Sequence, residues 1–380
     1  MTAPPEATTE QAANAIGEVK RIATELAAIT TRPWTLMEVC GGQTHAIVRW
    51  GLDQLLPEGL RLIHGPGCPV CVTPAGTIDA ALALARRPEV ILCSYGDMLR
   101  VPGSARADQD DGDLLGVRAA GGDVRLLTSP LQALDLARQH PGRQVVFLAV
   151  GFETTAPATA LLAHQALALE LTNLSILTAH VRVAPAMEAI LRGDDNQVQG
   201  FLAAGHVCTV LGTAELEPLV ETHRVPVVVS GFQPVELMTA LLRCVALLEA
   251  GTPELANAYG RVVRPEGNPR ARRLLEEVFS SEDRPWRGLG VIPGGGLALR
   301  PPYDRLEARR RFALDDPAET EPKTEQEQGP CISGLILQGR RTPPQCPAFG
   351  TSCTPEHPLG APMVSSEGAC AAYHRYRHHG

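Results

Sequence analysis

The sequence predicts an α/β fold with two similar small α/β domains of mostly parallel sheets and a third, mainly helical or irregular part. Two observations indicate it. Short runs of Val, Ile and Leu alternate with helical stretches, a pattern typical of buried parallel strands joined by crossover helices. The 380 residues, 44% hydrophobic and 20% charged, suffice for two or three domains with apolar cores. A closed eight-stranded barrel is the alternative.

Eight strand-like runs follow a polar leader and one helical pattern at residues 11–29. The first four are residues 36–39, 60–63, 90–94 and 124–127, and the second four are residues 145–150, 174–178, 207–211 and 225–229. A turn rich in glycine or polar residues closes each run, and a helical stretch comes next. Two sets of four such units predict two domains, at residues 33–143 and 144–234.

The flanking parts are predicted from composition and periodicity. Residues 1–32 form a leader and a helix that we expect to pack with the third part. That third part, residues 235–380, begins with helical patterns at residues 235–250 and 268–279. An acidic stretch rich in Glu, Gln and Pro at residues 315–328 is typical of a linker.

Charge and hydropathy exclude several classes of protein. A net charge of −8 argues against a nucleic-acid-binding surface. The chain has no apolar run of 18 residues, and no basic stretch followed by an apolar one at its start. We therefore expect a cytoplasmic protein without a membrane segment. In that compartment, the ten cysteines are expected to be ligands, redox thiols or core residues rather than a disulfide framework.

Chemically versatile side chains gather in the turns after the predicted strands. Cys40 opens Cys-Gly-Gly-Gln-Thr-His, which ends at His45. Cys68 and Cys71 belong to Gly-Pro-Gly-Cys-Pro-Val-Cys, and Glu153 lies in Gly-Phe-Glu-Thr-Thr. Ligands of parallel-sheet folds bind just beyond the carboxyl ends of the strands, so we expect one crevice to collect these turns.

Each of these residues has a chemical interpretation and a plain structural one. The two-residue gap lets the sulfurs of Cys68 and Cys71 meet in a disulfide or on one metal, and a helix starting there would lower the pKa of the first thiol. The glycines after Cys40 leave room for a bulky group beside its sulfur, with His45 as a nearby proton donor. Helix capping does not explain Glu153, a candidate acid, base or docking residue. The alternatives are buried cysteines under turns and a satisfied structural histidine.

Four more cysteines lie in the Pro- and Gly-rich tail: Cys331, Cys346, Cys353 and Cys370. The tail shows little helix or strand pattern and proline removes backbone donors, so something other than backbone hydrogen bonds must order it. Four thiolates suit zinc or an iron–sulfur cluster. The short ligand pairs of zinc ribbons are absent, which favours the cluster, with free or disulfide-linked thiols as a further alternative.

Together these motifs resemble one family. They are Cys40-Gly-Gly-Gln-Thr-His45, His64-Gly-Pro-Gly-Cys-Pro-Val-Cys71, Gly151-Phe-Glu-Thr-Thr155, Gly205-His-Val207 and the four tail cysteines. The combination closely resembles the HypD family of NiFe-hydrogenase maturation factors, from about residue 33 to the tail. One departure is Gln233, where we expect Glu from the family pattern.

The resemblance implies a fold and a function. It implies two similar α/β domains and a third part with a 4Fe–4S cluster on the four tail cysteines. It also implies a small HypC-type chaperone, with which the chain carries an iron and its cyanide and carbon monoxide ligands during assembly. A HypE-type protein, served by a HypF-type carbamoyl supplier, would donate cyanide from a thiocyanate. The hydrogenase large subunit would be reached only indirectly.

The same resemblance implies roles for single residues. Cys40 would be the thiolate ligand of the iron, and Cys68 and Cys71 would form a redox dithiol between the cluster and the site of cyanide transfer. The chain would then be a redox-active assembly scaffold rather than a conventional turnover enzyme. Two alternatives stay open: a stand-alone iron–sulfur thiol–disulfide oxidoreductase, and a scaffold whose metal is purely structural.

Overall fold

The computed structural model describes residues 9–104, 112–314 and 330–377. Within these residues the chain forms two separate sheets of parallel strands, one antiparallel hairpin and many helices, so the predicted α/β class is confirmed. The closed barrel is wrong, because the described strands of the two parallel sheets form open arrays. No described helix is both long and apolar enough to cross a membrane. The predicted linker at residues 315–328 lies outside the described residues.

The first half of the chain alternates helices and strands as expected. Its elements are α1 (Thr9–Ile29), β1 (Trp34–Glu38), α2 (Gly41–Trp50), β2 (Leu60–His64), α3 (Pro69–Val72), α4 (Ala75–Ala85), β3 (Val90–Ser94), α5 (Leu114–Ala119), β4 (Val124–Leu126) and α6 (Gln132–Gln139). The four predicted strands of this half end within two residues of the observed ones.

The second half continues the alternation and then changes character. Its elements are β5 (Gln144–Gly151), α7 (Ala156–Ala168), β6 (Leu174–His180), α8 (Val183–Arg192), β7 (Gly200–Ala204), α9 (Gly205–Leu211), α10 (Glu217–His223), β8 (Val227–Ser230), α11 (Pro234–Ala250), β9 (Leu255–Asn257), α12 (Pro269–Val278), β10 (Phe279–Trp286), β11 (Gly290–Leu299), α13 (Ala308–Phe312), α14 (Ser333–Leu337), α15 (Ala361–Val364) and α16 (Ala369–Arg377). The predicted strand at residues 207–211 is wrong, because these residues belong to α9 and the strand β7 precedes them. A short apolar run fits a buried helix as well as a buried strand.

The two sheets divide the strands differently from the predicted domains. Sheet A has the order β2-β1-β7-β8-β9 and sheet B the order β4-β3-β5-β6, and all neighbouring pairs are parallel. The chain leaves sheet A after β2, builds sheet B and returns to sheet A at β7. Each sheet therefore contains strands from both predicted ranges, 33–143 and 144–234, and no boundary between residues 143 and 144 separates them.

The N-terminal helix packs against α11 on one face of sheet A. Val19, Ile22 and Leu26 recur at helical spacing and are buried together with Leu237 and Leu241 of α11. Burial of each such side chain contributes roughly 1.5–3 kcal/mol. This contact joins the leader helix to residues beyond 234.

The hairpin β10–β11 lies beside β6 and helps to join the two sheets. Val181, just after β6, pairs with Gly296 of β11. The indole of Trp286 donates to the carbonyl of Gly295 over 3.0 Å and packs beside Phe152. Both Phe152 and Trp286 belong to the buried cluster at the carboxyl edge of sheet A, so the edges of the two sheets meet there.

Candidate functional site

The order of sheet A brings four loops to one edge. It places β2, β1, β7 and β8 side by side, so the segments that follow their carboxyl ends are neighbours. These segments carry Cys68, Cys40, His206 and Phe232, respectively. Ligands of parallel sheets bind at such an edge. Glu153, in contrast, follows β5 of sheet B.

Cys40 is the N-cap residue of α2 and is only 1% exposed. Its backbone N–H donates to Oε2 of Glu38 over 2.8 Å. The loop after β2 lies directly on this turn, because the N–H of Gly41 donates to the carbonyl of Gly67 over 2.7 Å. A Cβ atom on Gly67 would lie 2.2 Å from the Cys40 nitrogen. Glycine at position 67 is therefore required for the two loops to touch.

The sulfur of Cys40 contacts the imidazole of His206. It lies 3.6 Å from Nδ1 and 3.9 Å from Nε2, at a similar distance from both ring nitrogens. The imidazole stacks on Phe232, with ring centroids 5.2 Å apart and planes inclined by 21°. A Cβ atom on Gly42 would lie 3.1 Å from the Phe232 ring and 3.7 Å from the sulfur. The sulfur therefore lies among an imidazole, an aromatic ring and a glycine backbone.

Neighbouring groups hold His206 and Phe232 in place. A Cβ atom on Gly205 would lie 2.4 Å from the carbonyl oxygen of Ser230, so glycine lets α9 begin close to β8. Oε2 of Glu236 accepts the N–H of Phe232 over 3.0 Å. The side-chain amide of Gln43 donates to carbonyl groups at the ends of β7 and β8, both over 3.1 Å. These bonds tie α2 to the two loops that face Cys40.

Burial decides the protonation of the Cys40–His206 pair. Burial raises the pKa of the Cys40 thiol, and the negative charges of Glu38 and Glu367 add to the rise. Burial lowers the pKa of His206 to about 4. At neutral pH the pair is therefore a thiol beside a neutral imidazole. A soft metal ion that binds this sulfur must displace its proton.

Cys68 and Cys71 form a disulfide, with their Cα atoms 5.2 Å apart. The expectation that the two-residue gap lets the sulfurs meet is thereby confirmed. Both residues are buried in the same cluster as Cys40, and Pro69 opens the four-residue helix α3 between them. The predicted reactivity of the first thiol stays a prediction.

His45 connects α2 to the tail. Its Nδ1 lies 3.1 Å from the carbonyl oxygen of Ser366, and its Nε2 lies 3.1 Å from the hydroxyl of Tyr376. Both ring nitrogens therefore have a hydrogen-bond partner. The imidazole that contacts the Cys40 sulfur is that of His206, and the catalytic role of His45 stays a prediction.

Glu153 is buried at the carboxyl edge of sheet B. Its Oε1 accepts the N–H of Val183 over 3.0 Å, and its Oε2 has no hydrogen-bond partner in the part of the chain that the structure describes. Burial raises the pKa of Glu153 to about 7, and Glu215 adds to the rise. Glu153 and Cys208 line a cavity of about 20 Å³, which has room for about one water molecule. Its predicted acid–base role stays a prediction.

The four predicted tail ligands lie close together as free thiols: Cys331, Cys346, Cys353 and Cys370. Three of them belong to one buried cluster, and Cys331 is half-buried. Burial raises the pKa of Cys370, and the nearness of the other three thiols adds to the rise. The pKa of Cys353 is also raised, mainly by burial and further by the neighbouring thiols.

The tail thiols have open space and a backbone donor beside them. Among the described residues, no group of three or more His, Cys, Asp or Glu side chains is arranged to hold one metal ion. Gly360 leaves space beside Cys331, because a Cβ atom there would lie 2.7 Å from the sulfur. The N–H of Leu359 donates to the sulfur of Cys353 over 3.3 Å. Four thiols with such a donor suit an iron–sulfur cluster, whose presence stays a prediction.

Sequence reasoning missed His206 and Phe232 as the partners of Cys40. With a strand expected at residues 207–211, His206 falls before the amino end of a strand. The observed β7 ends at Ala204, which puts His206 just beyond a carboxyl end. The glycines that precede both residues, Gly205 and Gly231, were the available signal, because each follows an apolar run.

Comparisons with known proteins agree over nearly the whole chain. The family profile described as "HypD: Hydrogenase formation hypA family" matches residues 13–377. The chain is 49% identical over 362 residues to the "Hydrogenase expression/formation protein HupD" of Azotobacter chroococcum mcd 1, which covers 94% of this chain and 92% of that protein. It is 47% identical over 362 residues to the "Hydrogenase maturation factor HypD" of Azotobacter vinelandii, with coverages of 94% and 92%. The protein of that name from Escherichia coli (strain K12) is 43% identical over 375 residues, with coverages of 97% and 96%.

Proposed function

This chain belongs to the HypD family of hydrogenase maturation factors, and from that premise we propose that it is the scaffold on which the Fe(CN)2CO unit of NiFe-hydrogenase is assembled. A small HypC-type chaperone shares the iron with it. A HypE-type donor, supplied by a HypF-type carbamoyl carrier, presents cyanide as a thiocyanate. The finished unit moves on toward the hydrogenase large subunit, so the chain acts as a redox-active scaffold rather than a conventional turnover enzyme.

Cys40 is the ligand that this chain offers to the iron. A soft thiolate suits an iron that carries cyanide and carbon monoxide. Three features support this role: the sulfur is buried, Gly42 leaves space beside it, and His206 presents a neutral imidazole to it. The N–H of that imidazole can donate to the sulfur or to the nitrogen of a bound cyanide. The ring of Phe232 behind it helps to exclude water.

Cys68 and Cys71 supply the electrons for cyanide transfer. Their dithiol form gives two electrons and two protons and becomes a disulfide. The sulfur–carbon bond of the thiocyanate breaks, and the donor sulfur leaves as a thiol with one of the protons. Cyanide binds the iron as an anion, and the second proton is released. The disulfide between Cys68 and Cys71 is the oxidised form that this step produces.

The four tail cysteines hold a 4Fe–4S cluster in this proposal. When bound, such a cluster would supply single electrons to a neighbouring redox group. The chain contributes the four thiolates, the backbone donor of Leu359 and a largely buried environment that limits contact with water. Thiol groups with pKa values raised by burial and by one another lose their protons when the metal binds.

One observation carries the proposal: the Cys40 sulfur contacts His206, and the Cys40 turn bonds to the backbone of the disulfide loop, whose two cysteines share a buried cluster with Cys40. The disulfide itself favours a second candidate, a stand-alone oxidoreductase that acts on protein disulfides. However, Cys68 is only 3% and Cys71 0% exposed. An enzyme for protein substrates needs an attacking thiol that those substrates can reach.

Infrared spectroscopy of the anaerobically purified complex with the small chaperone tests the proposal. We expect stretching bands of cyanide and carbon monoxide. Thiol counting should change by two between oxidising and reducing conditions, and Cys71→Ala should remove that change. Absent bands with a redox-active pair would favour the oxidoreductase. An unchanged thiol count in the unaltered chain would remove Cys68 and Cys71 from the electron path.

A further inference from the structure

A buried chain of hydrogen bonds runs from the tail to the backbone of Cys40. The hydroxyl of Tyr373 lies 3.2 Å from Nε2 of His64, and Nδ1 of His64 lies 2.7 Å from Oε1 of Glu38. The other oxygen of Glu38 accepts the N–H of Cys40 over 2.8 Å, and the hydroxyl of Thr44 donates to Oε1. Glu38 is 0% exposed, His64 7% and Tyr373 8%, so water competes little with these bonds.

The carboxylate of Glu38 is the centre of this chain of bonds. A fully buried carboxylate is costly unless hydrogen bonds compensate it. Glu38 ends β1, where an apolar residue would complete the strand without that cost. Its donors come from the Cys40 turn, from α2 and from β2. Glu38 therefore fixes the Cys40 turn to β2, and His64 continues the connection to α16.

The tail end of the chain of bonds lies beside a predicted cluster ligand. Tyr373 and Cys370 are three residues apart on α16, so they lie on the same side of that helix. Ordering this helix around the four thiols therefore also places the Tyr373 hydroxyl. Tyr376, on the same helix, makes a comparable bond to Nε2 of His45, which does not lead to Glu38.

We propose that Tyr373, His64 and Glu38 are positioning residues that transmit the ordering of the four-cysteine tail to the Cys40 turn. The functional meaning of this inference rests on the proposed role of Cys40. With the tail in place, the Tyr373 hydroxyl satisfies Nε2 of His64 and holds the imidazole against Glu38. Without that hydroxyl, His64 has a buried nitrogen without its partner, the carboxylate is held less firmly, and the Cys40 turn opens more often.

The test measures how fast iodoacetamide alkylates Cys40 in the full chain, purified anaerobically without its partners. Peptide mass spectrometry resolves the rate at each cysteine. Tyr373→Phe removes only the hydroxyl and should raise the Cys40 rate about fivefold, the factor expected for one lost hydrogen bond. Cys93 and Cys244, both 0% exposed, are internal references that should keep their rates. General loosening of the fold would raise all three rates together.

Matched variants separate positioning from simple docking of the tail. Tyr376→Phe removes a hydroxyl from the same helix and should leave the Cys40 rate unchanged. Cys370→Ala alone should raise the alkylation rate of Cys40. Combined with Tyr373→Phe, it should raise that rate little further, because both changes act through one chain of bonds. His64→Gln should raise the rate as much as Tyr373→Phe does, and the double variant should not exceed either.

Three results would overturn the proposal. The first is an equal Cys40 rate in Tyr373→Phe and the unaltered chain. The second is an equal rise in Tyr376→Phe and Tyr373→Phe. The third is an unaffected Cys40 rate in Cys370→Ala, which would reject the link to the tail. Alkylation does not require Cys40 to bind iron. Absent cyanide and carbon monoxide bands together with a Tyr373-dependent rate would therefore reject the assembly role and keep the positioning residues.

Discussion

The carboxyl edges of the two parallel sheets have similar turns, but their polar groups are used differently. At the edge of sheet A, the sulfur of Cys40 contacts the imidazole of His206, near the Cys68–Cys71 disulfide. At the edge of sheet B, His180 uses both ring nitrogens, 3.1 Å from the Gly151 carbonyl and 2.9 Å from the Thr159 hydroxyl. Burial lowers the pKa of His180 to about 4, so the ring is neutral and structural.

Polar groups within the Gly-Phe-Glu-Thr-Thr motif of sheet B also bond to one another. The hydroxyl of Thr155 donates to the Phe152 carbonyl over 3.1 Å rather than capping α7. A Cβ atom on Gly151 would lie 1.6 Å from that hydroxyl, so this glycine is required by packing. A conspicuous turn after a strand is therefore not by itself a chemical site. What distinguishes the two edges is whether donors and acceptors already satisfy one another. Among the described residues, Oε2 of Glu153 is an exception at the carboxyl edge of sheet B, and the hydroxyl of Thr178 within β6 is another.

The tail strengthens the contrast, because it closes mainly on the edge of sheet A. Tyr373 and Tyr376 bond to His64 and His45, and a Cβ atom on Gly41 would lie 2.5 Å from that of Glu367. On the side of sheet B, the hydroxyl of Ser365 donates to Asp97 over 2.8 Å. The predicted cluster is thus connected more closely to Cys40 than to Glu153.

The largest expected effect is the difference between substituting Cys40, at the edge of sheet A, and substituting Cys93, a buried thiol of sheet B. Cys40→Ala should fold, keep the tail cluster and lose the cyanide and carbon monoxide bands completely, because the iron loses its protein ligand. Cys93→Ala, in β3 of sheet B, should keep both bands and hydrogenase maturation. It should lower the free energy of unfolding by about 1 kcal/mol through a small cavity. Infrared spectra and a maturation assay on both variants measure the difference.

Cys40→Ser is the finer version of this comparison, because a hard oxygen replaces a soft sulfur with little change in shape. It should lose the bands as Cys40→Ala does. Maturation at the unaltered level in either Cys40 variant would show that Cys40 is not the ligand. The assembly site would then have to be sought at Cys68 and Cys71.

The next effect concerns the tail. Anaerobically purified chain should be brown and hold about four irons, the content of one 4Fe–4S cluster. Cys353→Ala should lose the cluster and loosen the tail, because metal binding and ordering are coupled. Amide hydrogen exchange should therefore rise in α16 and in α2 on sheet A, but not in α7 on sheet B.

Two outcomes would contradict this prediction. Colourless unaltered protein with stoichiometric zinc would reject the cluster. Equal exchange in α2 with and without Cys353 would show that the tail does not order the edge of sheet A. Cys244→Ala is a suitable control, since it removes a thiol from the core under α1 and should leave the metal content unchanged.

The fold class was predictable because buried parallel strands need continuous runs of Val, Ile and Leu, and residues 90–94 match β3 from end to end. The pairing of the strands could not be predicted, because it depends on contacts between residues distant in sequence. The positions of Cys40 and Cys68 beyond the carboxyl ends of strands could be predicted from their glycine-rich turns. His206 was not recognised as a partner of Cys40, because a strand was predicted at residues 207–211 instead of a helix. The bond between His64 and Tyr373 joins residues 309 positions apart, so no local sequence pattern could predict it.

The smallest expected effect tests one exception at sheet B, Glu153, through pH. Burial raises the pKa of Glu153 to about 7 in the folded chain, against about 4.3 in an unfolded one. The folded chain thus binds this proton more tightly, so the contribution of Glu153 to stability is fully present below about pH 4 and is lost as the pH rises through 7. The change in pKa corresponds to at most about 4 kcal/mol. Glu153→Gln cannot ionise, so between pH 5 and 8 its free energy of unfolding should fall less than that of the unaltered chain. Urea titrations at several pH values measure this. Glu215→Gln keeps the titrating group but removes a charge that helps to raise its pKa, so it should lessen the fall without abolishing it. Equal pH dependence in the Glu153→Gln chain would show that Glu153 already ionises freely in the folded state.

Loss of the cyanide and carbon monoxide bands in a well-folded Glu153→Gln chain would instead assign this carboxyl to the chemistry, and the contrast between the two edges would no longer hold.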